Sequence, residues 1–407
     1  MPFVFQSQST EMAMKSLCYI AHQIVPSERA DSIQVMKMCD AFAKKVENVE
    51  LITPLSFRSV LGKLRFRKMD ILRDLYSVDS TFKIRWVLSP FSGLPYKELK
   101  RAGYGLLASL YAFHKRYDAV YTRQMWAAFW SACFNIPVIY ESHDFNFDKR
   151  QKIFPKFLEL ATRHKMLGIV TISHYLAKEY ARMKIPKDRI WVLHDGVDLE
   201  RFNPHLSKYE ARKAIGLERN EKIACYAGQL YEGSGIDHII EAAGLLNNVI
   251  FLIVGGKSND IKKYKKNVVI SKGLTNIVFT GFVKNALIPL YLFASDVLLM
   301  PFTPRVPTLK YMSPLKMFEY MAAGRPIVAT DLPVIREVLK DKENAVLVEA
   351  ENTGDLVRGI RDVLDNAYLS SRITRKVRDD VLKYSWDRRA DKILGYFSTK
   401  LLPCSRV

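Results

Sequence analysis

The chain has 407 residues, enough for two or three ordinary domains, with 49% apolar, 12% aromatic and 26% charged side chains. That balance excludes disordered, collagen-like and low-complexity proteins, and five scattered cysteines without a CxxC pair support neither a disulfide framework nor a zinc ribbon. With 62 basic and 42 acidic residues the net charge is +20, which calls for an anionic partner or surface.

Apolar, β-branched runs alternate with helical patterns along the whole chain, the signature of parallel sheets covered by helices on both faces. The first strands are predicted at Cys18–Ala21 and Val49–Ile52, and between them a helix opens near DSIQV (31–35), where Asp31 or Ser32 reads as an N-cap. Residues 51–123 then hold 14 basic and 5 acidic groups. Within them, FRSVLGKLRFRKMDILR (57–73) interleaves Arg58, Lys63, Arg65, Arg67, Lys68 and Arg73 with apolar residues. The pattern is that of a basic amphipathic helix, either resting on anionic lipid headgroups or simply a solvated face. Nucleic acid is not expected as a partner, because no recognisable nucleic-acid module accompanies the charge.

Further strands are predicted at Ala119–Thr122, Val138–Glu141, Gly168–Ile172 and Ile190–Leu193. A second series follows at Ile223–Ala227, Val249–Val254, Ile277–Thr280, Val297–Met300, Ile327–Ala329 and Ala345–Val348. Between the two, Asp195–Pro204 is a short polar segment bracketed by Gly196 and Pro204, and it reads as the crossing between domains. The expected fold class is α/β, with doubly wound units at 1–198 and 203–385, and with the helical segment near the C-terminus (386–407) packing back on the first. Such units bind ligands outside the carboxyl ends of their strands, so function is expected where strand ends of the two halves face each other across a cleft. No stretch reaches 18 uninterrupted apolar residues, and no charged region precedes an apolar run at the N-terminus, so a cytoplasmic protein is expected.

The strongest local signal is SPLKMFEYMAAGRPIVATDLPVIRE (313–337). Ser313 suits an N-cap and Pro314 the first helical position, so a helix is expected to begin here and end at Gly324. Free amides near Leu315 and Lys316, with the Lys316 ammonium, suit a diphosphate. Glu319, three residues on, shares that face and is placed to accept hydrogen bonds from ribose hydroxyls. The competing reading is an ordinary surface helix on which Lys316 and Glu319 form a weak ion pair.

This segment resembles the nucleotide-sugar motif of the family 4 glycosyltransferases, retaining enzymes of GT-B fold. Other stretches agree with that family in order: DAVYTR (118–123), VIYESHDF (138–145), VTISHYLAKEY (170–180), VLHDGVDLERFNP (192–204), YAGQLYEGSGIDHIIEA (226–242), NIVFTGFV (276–283) and ASDVLLMPF (294–302). The resemblance implies two Rossmann-like domains, the first for the acceptor and the second for the donor. It implies transfer of a sugar from a UDP- or GDP-sugar to a glycan or lipid-linked hydroxyl, as in polysaccharide or glycoconjugate biosynthesis. A nucleotide-sugar epimerase and a non-catalytic homologue kept as a scaffold are the alternatives.

Residue by residue, the family's pair of glutamates eight apart is represented by Tyr311 and Glu319, so the sugar-contacting glutamate is replaced while the ribose-contacting one is kept. In the loop after the first donor-domain strand, which starts at Gly228, the family's arginine and lysine are replaced by Gln229 and Ser234. Lys316 and the helix amides are then expected to carry more of the phosphate, with Lys310 and Arg325 as further candidates. His143 aligns with the family's cleft histidine, expected to face the donor sugar, beside Asp144, which reads equally well as a turn residue capping the next helix. Gly281 and Phe282 correspond to the loop whose backbone reads the base. Ser32 and Ile33 stand where a glycine-rich loop is common. HExxH, P-loop, GxSxG and DxD motifs are missing, so no required metal ion is expected, and the helix terminus with Lys316 can neutralise the leaving diphosphate.

Overall fold

The computed structural model describes residues 14–27, 29–55, 75–78, 82–89, 97–163, 167–217, 220–265 and 273–401. The basic stretch 57–73 lies outside these residues. The chain divides into two compact units: one comprises Met1–Thr171, Ala177–Trp191 and Asp387–Val407, the other Ile172–Leu176 and Val192–Trp386.

The first unit is built on a seven-stranded parallel sheet of β1 (Ser16–Ile20), β2 (Asn48–Leu55), β3 (Lys83–Leu88), β4 (Ala119–Thr122), β5 (Val138–Ser142), β6 (Leu167–Thr171) and β7 (Ile190–Val192), in the order β3-β2-β1-β4-β5-β6-β7. The central strands are buried along their length, as expected when helices cover both faces. Only β3 departs from the predicted set. Its sequence KIRWVL alternates Lys83 and Arg85 with apolar residues and forms a half-exposed edge, so charge masked the strand signal. Arg85 is drawn there by the buried Glu50 on β2, 2.7 Å away.

The second unit carries a six-stranded parallel sheet of β8 (Lys222–Ala227), β9 (Val249–Val254), β10 (Ile277–Gly281), β11 (Val297–Met300), β12 (Ile327–Thr330) and β13 (Val346–Val348), in the order β10-β9-β8-β11-β12-β13. Its two faces bury separate clusters: Phe293, Phe302, Phe318 and Ile335 on one, Ile239, Phe251, Leu299 and Ile360 on the other. Both strand orders reverse direction of growth at a central strand, the doubly wound Rossmann-like pattern of the expected α/β fold.

The first helix, Ala30–Ala43, begins earlier than expected, with Arg29 at its N-cap and no side-chain cap. Asp31 does not cap it, and instead accepts from Arg29 Nε at 3.1 Å. Ser32 is buried, its hydroxyl 3.4 Å from the carbonyl of Ile24. Among the described residues, no helix is long and apolar enough to cross a membrane.

Candidate functional site

The helix Leu315–Ala323 follows β11 at the carboxyl edge of the second sheet. It buries Met317, Phe318, Tyr320, Met321 and Ala323, and it stops at Gly324, whose φ of +58° closes the last turn. Its start differs from the sequence expectation. Pro314 is the N-cap and supplies no side-chain hydrogen bond, while Ser313 Oγ accepts from the Asp195 amide at 2.9 Å. Ser313 therefore secures the preceding turn rather than the helix, and the first amides, at Leu315 and Lys316, lack an internal acceptor.

Two contacts fix this helix against the end of β8. The Ala227 amide donates to Tyr320 Oη at 2.7 Å, and Gly228 follows directly. A Cβ at Gly228 would stand 2.5 Å from Lys316 Nζ, so a glycine is what lets the lysine reach across the strand end. Lys316 Nζ is buried without a hydrogen-bond partner, over the rings of Tyr226 (3.9 Å to the centroid) and Phe302 (5.2 Å). The rings offset part of the lost hydration. Burial still lowers its pKa to about 7, with the Glu319 charge raising it only in part.

Glu319 does not pair with that lysine. Its Oε1 accepts from Arg201 Nη1 at 3.2 Å, and Arg201 Nη2 donates to the carbonyl of Asn285, in the turn beyond Phe282. Arg201 thus ties the helix carboxylate to the loop after β10. No sequence motif marks Arg201 for this contact; it lies in the polar segment Asp195–Pro204, 118 residues from Glu319. Phe282 is exposed at the end of that strand, and Gln229 is exposed at the head of the β8 loop. Ser234 is buried beside Gly235, the N-cap of the helix Ile236–Leu245.

Tyr311, at the position of the missing glutamate, is buried and packs at a tilt against Tyr175, with 6.4 Å between ring centroids. Arg325 is engaged elsewhere. It follows the far end of this helix and donates to the carbonyl of Phe293, the last residue of another helix, Ile288–Phe293, at 2.7 Å. Lys310 is exposed. A separate group, His174, His194 and Glu337, holds potential ligand atoms within 4.8 Å of one another and could hold a metal ion. Its carboxylate already accepts from the His174 amide at 3.0 and 3.2 Å, which accounts for its position.

In the first unit, His143 follows β5, and Asp144 caps the next helix by accepting from the Phe147 amide at 3.0 Å, as expected. His143 Nε2 is hydrogen-bonded to Glu141 Oε1, a partner the sequence did not indicate. Burial and the Arg123 charge hold the imidazole well below its ordinary pKa, so it is neutral at pH 7. Burial alone would raise the Glu141 carboxyl, but the Arg389 guanidinium and His143 more than reverse this and keep it ionised.

A Glycosyltransferase Family 4 model matches residues 37–201, and a Glycosyl transferases group 1 model matches residues 221–366. The chain belongs to the family 4, group 1 glycosyltransferases. Among its relatives, an uncharacterized glycosyltransferase of Methanocaldococcus jannaschii is 25% identical over 59% of this chain and 62% of its own length. A UDP-Gal:alpha-D-GlcNAc-diphosphoundecaprenol alpha-1,3-galactosyltransferase of Escherichia coli is 26% identical over 63% of this chain and 67% of its own. The chain thus spans less than two thirds of the first of these relatives. In fold it is similar to the crystal structure of Anabaena HepE in complex with UDP. The TM-score is 0.72 at 14% identity, covering 94% of this chain and 100% of that one. This likeness and the two parallel sheets make the architecture GT-B.

Proposed function

We propose that this family member is a retaining glycosyltransferase whose second unit binds a UDP-sugar and whose first unit binds a hydroxyl acceptor. One observation carries the reading: a buried ammonium without a partner, Lys316 Nζ, stands at the head of a helix whose leading amides have no side-chain cap. Such a pair is a preformed site for a diphosphate. Lys316 also compensates for Gln229 and Ser234, which bring no charge to the β8 loop. As the glycosidic bond breaks, negative charge grows on the leaving diphosphate. The helix dipole and Lys316 stabilise it with little reorganisation, since both are held in place beforehand. Glu319, oriented by Arg201, anchors the ribose, and the loop at Phe282 reads the base through its backbone. His143 accepts a hydrogen bond from a sugar hydroxyl. The UDP found with HepE supports uridine as the base, and the diphosphoundecaprenol named for the galactosyltransferase supports a lipid-linked acceptor.

A thermal-shift screen with UDP, GDP and their sugar conjugates tests the donor site, because a ligand specific to the native state raises its melting temperature by mass action. UDP and UDP-sugars are expected to raise Tm, and the rise is expected to shrink in Glu319→Ala. A shift by GDP compounds alone would reassign the base. No shift by any of them would remove the donor assignment.

A further inference from the structure

His143 is not an isolated side chain at a strand end. Its Nε2 meets Glu141 Oε1, and the same oxygen accepts from Gln34 Nε2 at 2.8 Å. The other oxygen, Oε2, accepts from Arg389 Nη1 at 3.0 Å. Glu141 is fully buried and the Arg389 side chain is 3% exposed, whereas 21% of the His143 side chain reaches solvent. Arg389 Nη1 lies 3.2 Å from the Tyr121 hydroxyl on β4. On the other side, Arg123 Nη1 donates to Gln34 Oε1 and so fixes the amide that shares Glu141. Among the described residues His143 Nδ1 makes no hydrogen bond.

Gln34 Nε2 also lies 3.4 Å from His143 Nε2, but it is turned to Glu141, and for a neutral imidazole these contacts favour one tautomer. An ionised Glu141 only accepts, so the proton of a neutral His143 sits on Nε2 and points at it. Nδ1 then carries the lone pair. We infer that Glu141 and Arg389 are positioning residues that lock His143 in its Nε2–H tautomer and present Nδ1 as the acceptor for a sugar hydroxyl. The inference rests on the role given to His143 above and adds which atom acts and what holds it. It also gives the C-terminal helix Trp386–Tyr396 a part in the site, since Arg389 is its contribution to the first unit.

The test uses the full chain labelled with 15N in its histidine rings. His143→Asn assigns the signal. Glu141→Gln keeps an acceptor oxygen, and the double variant Glu141→Met with Arg389→Met removes acceptor and charge together. A buried ion pair replaced by apolar residues of similar volume is commonly tolerated, so the double variant keeps the experiment readable where a single change leaves a buried charge alone. The expected result is a slowly exchanging, hydrogen-bonded Nε2–H resonance in the parent chain that persists in Glu141→Gln and vanishes in the folded double variant. Release of UDP from UDP-glucose by the double variant is expected to fall about tenfold to a hundredfold in kcat with KM little changed, because the imidazole is misplaced rather than removed. A parent chain without that resonance, or a double variant that keeps it, overturns the lock. Loss of the resonance with kcat unchanged, while His143→Ala remains impaired, overturns its role in positioning. Full turnover by His143→Ala would instead overturn the reading of His143 itself.

Discussion

Lys316 concentrates the conflict between stability and binding. Its pKa is 10.5 in an ordinary environment and about 7 when buried here, so folding disfavours its charged form. The cost is complete below pH 7, shrinks as pH rises from 7 towards 10.5, and is gone above that range. Lys316→Met is therefore expected to raise the melting temperature of the ligand-free protein at pH 6 to 7, with the gain fading by pH 10. Fluorimetric melting across that range checks it, and a variant less stable than the parent at pH 6 would contradict it. That Lys316 and Glu319 share one helix, three residues apart, was legible in the sequence. Arg201 was not, since its partner is 118 residues away, and neither was Arg389, 248 residues from Glu141. Charge pairs of that separation exist only once the fold has brought the elements together.

The loop between β8 and the helix Ile236–Leu245 depends on one residue more than its composition suggests. Gly235 has φ of +81°, and a Cβ there would fall 1.9 Å from the carbonyl oxygen of Pro301. Gly235→Ala is expected to cost more than about 2 kcal/mol through both strain and overlap. Urea unfolding measures this, and an unchanged midpoint would show that the loop relaxes freely. Strand positions were largely legible because buried parallel strands are continuous apolar runs, as VIFLIV (249–254) shows. The edge strand KIRWVL was not, because its exposed face is charged. The start of the helix Leu315–Ala323 was misread for a different reason. A serine beside a proline looks like a cap, but its hydroxyl was claimed by the Asp195 amide, from a distant part of the chain.

On the largest scale, the net charge of +20 calls for an anionic partner or surface. We propose that the excess in residues 51–123, with the basic apolar stretch 57–73, serves an acceptor that is either lipid-linked at an anionic membrane surface or itself an acidic glycan. Sedimentation with vesicles is expected to show binding to anionic lipid that weakens with salt, and equal binding to neutral vesicles would contradict the electrostatic origin. The two-unit α/β architecture followed from the alternation of strand and helix patterns, and the family from the order of many weak motifs.

The central claim is that the Lys316 ammonium and the amides beside it hold a diphosphate. Near pH 8 most of that lysine is uncharged in the free protein, and a bound diphosphate raises its pKa, so binding must take up protons. Calorimetry of UDP binding at pH 8, in two buffers of different ionisation enthalpy, reads this uptake directly. The parent chain is predicted to take up protons, and Lys316→Met to take up none while binding about tenfold to a hundredfold more weakly. Equal affinity in the two proteins, with no proton uptake in either, would contradict the claim.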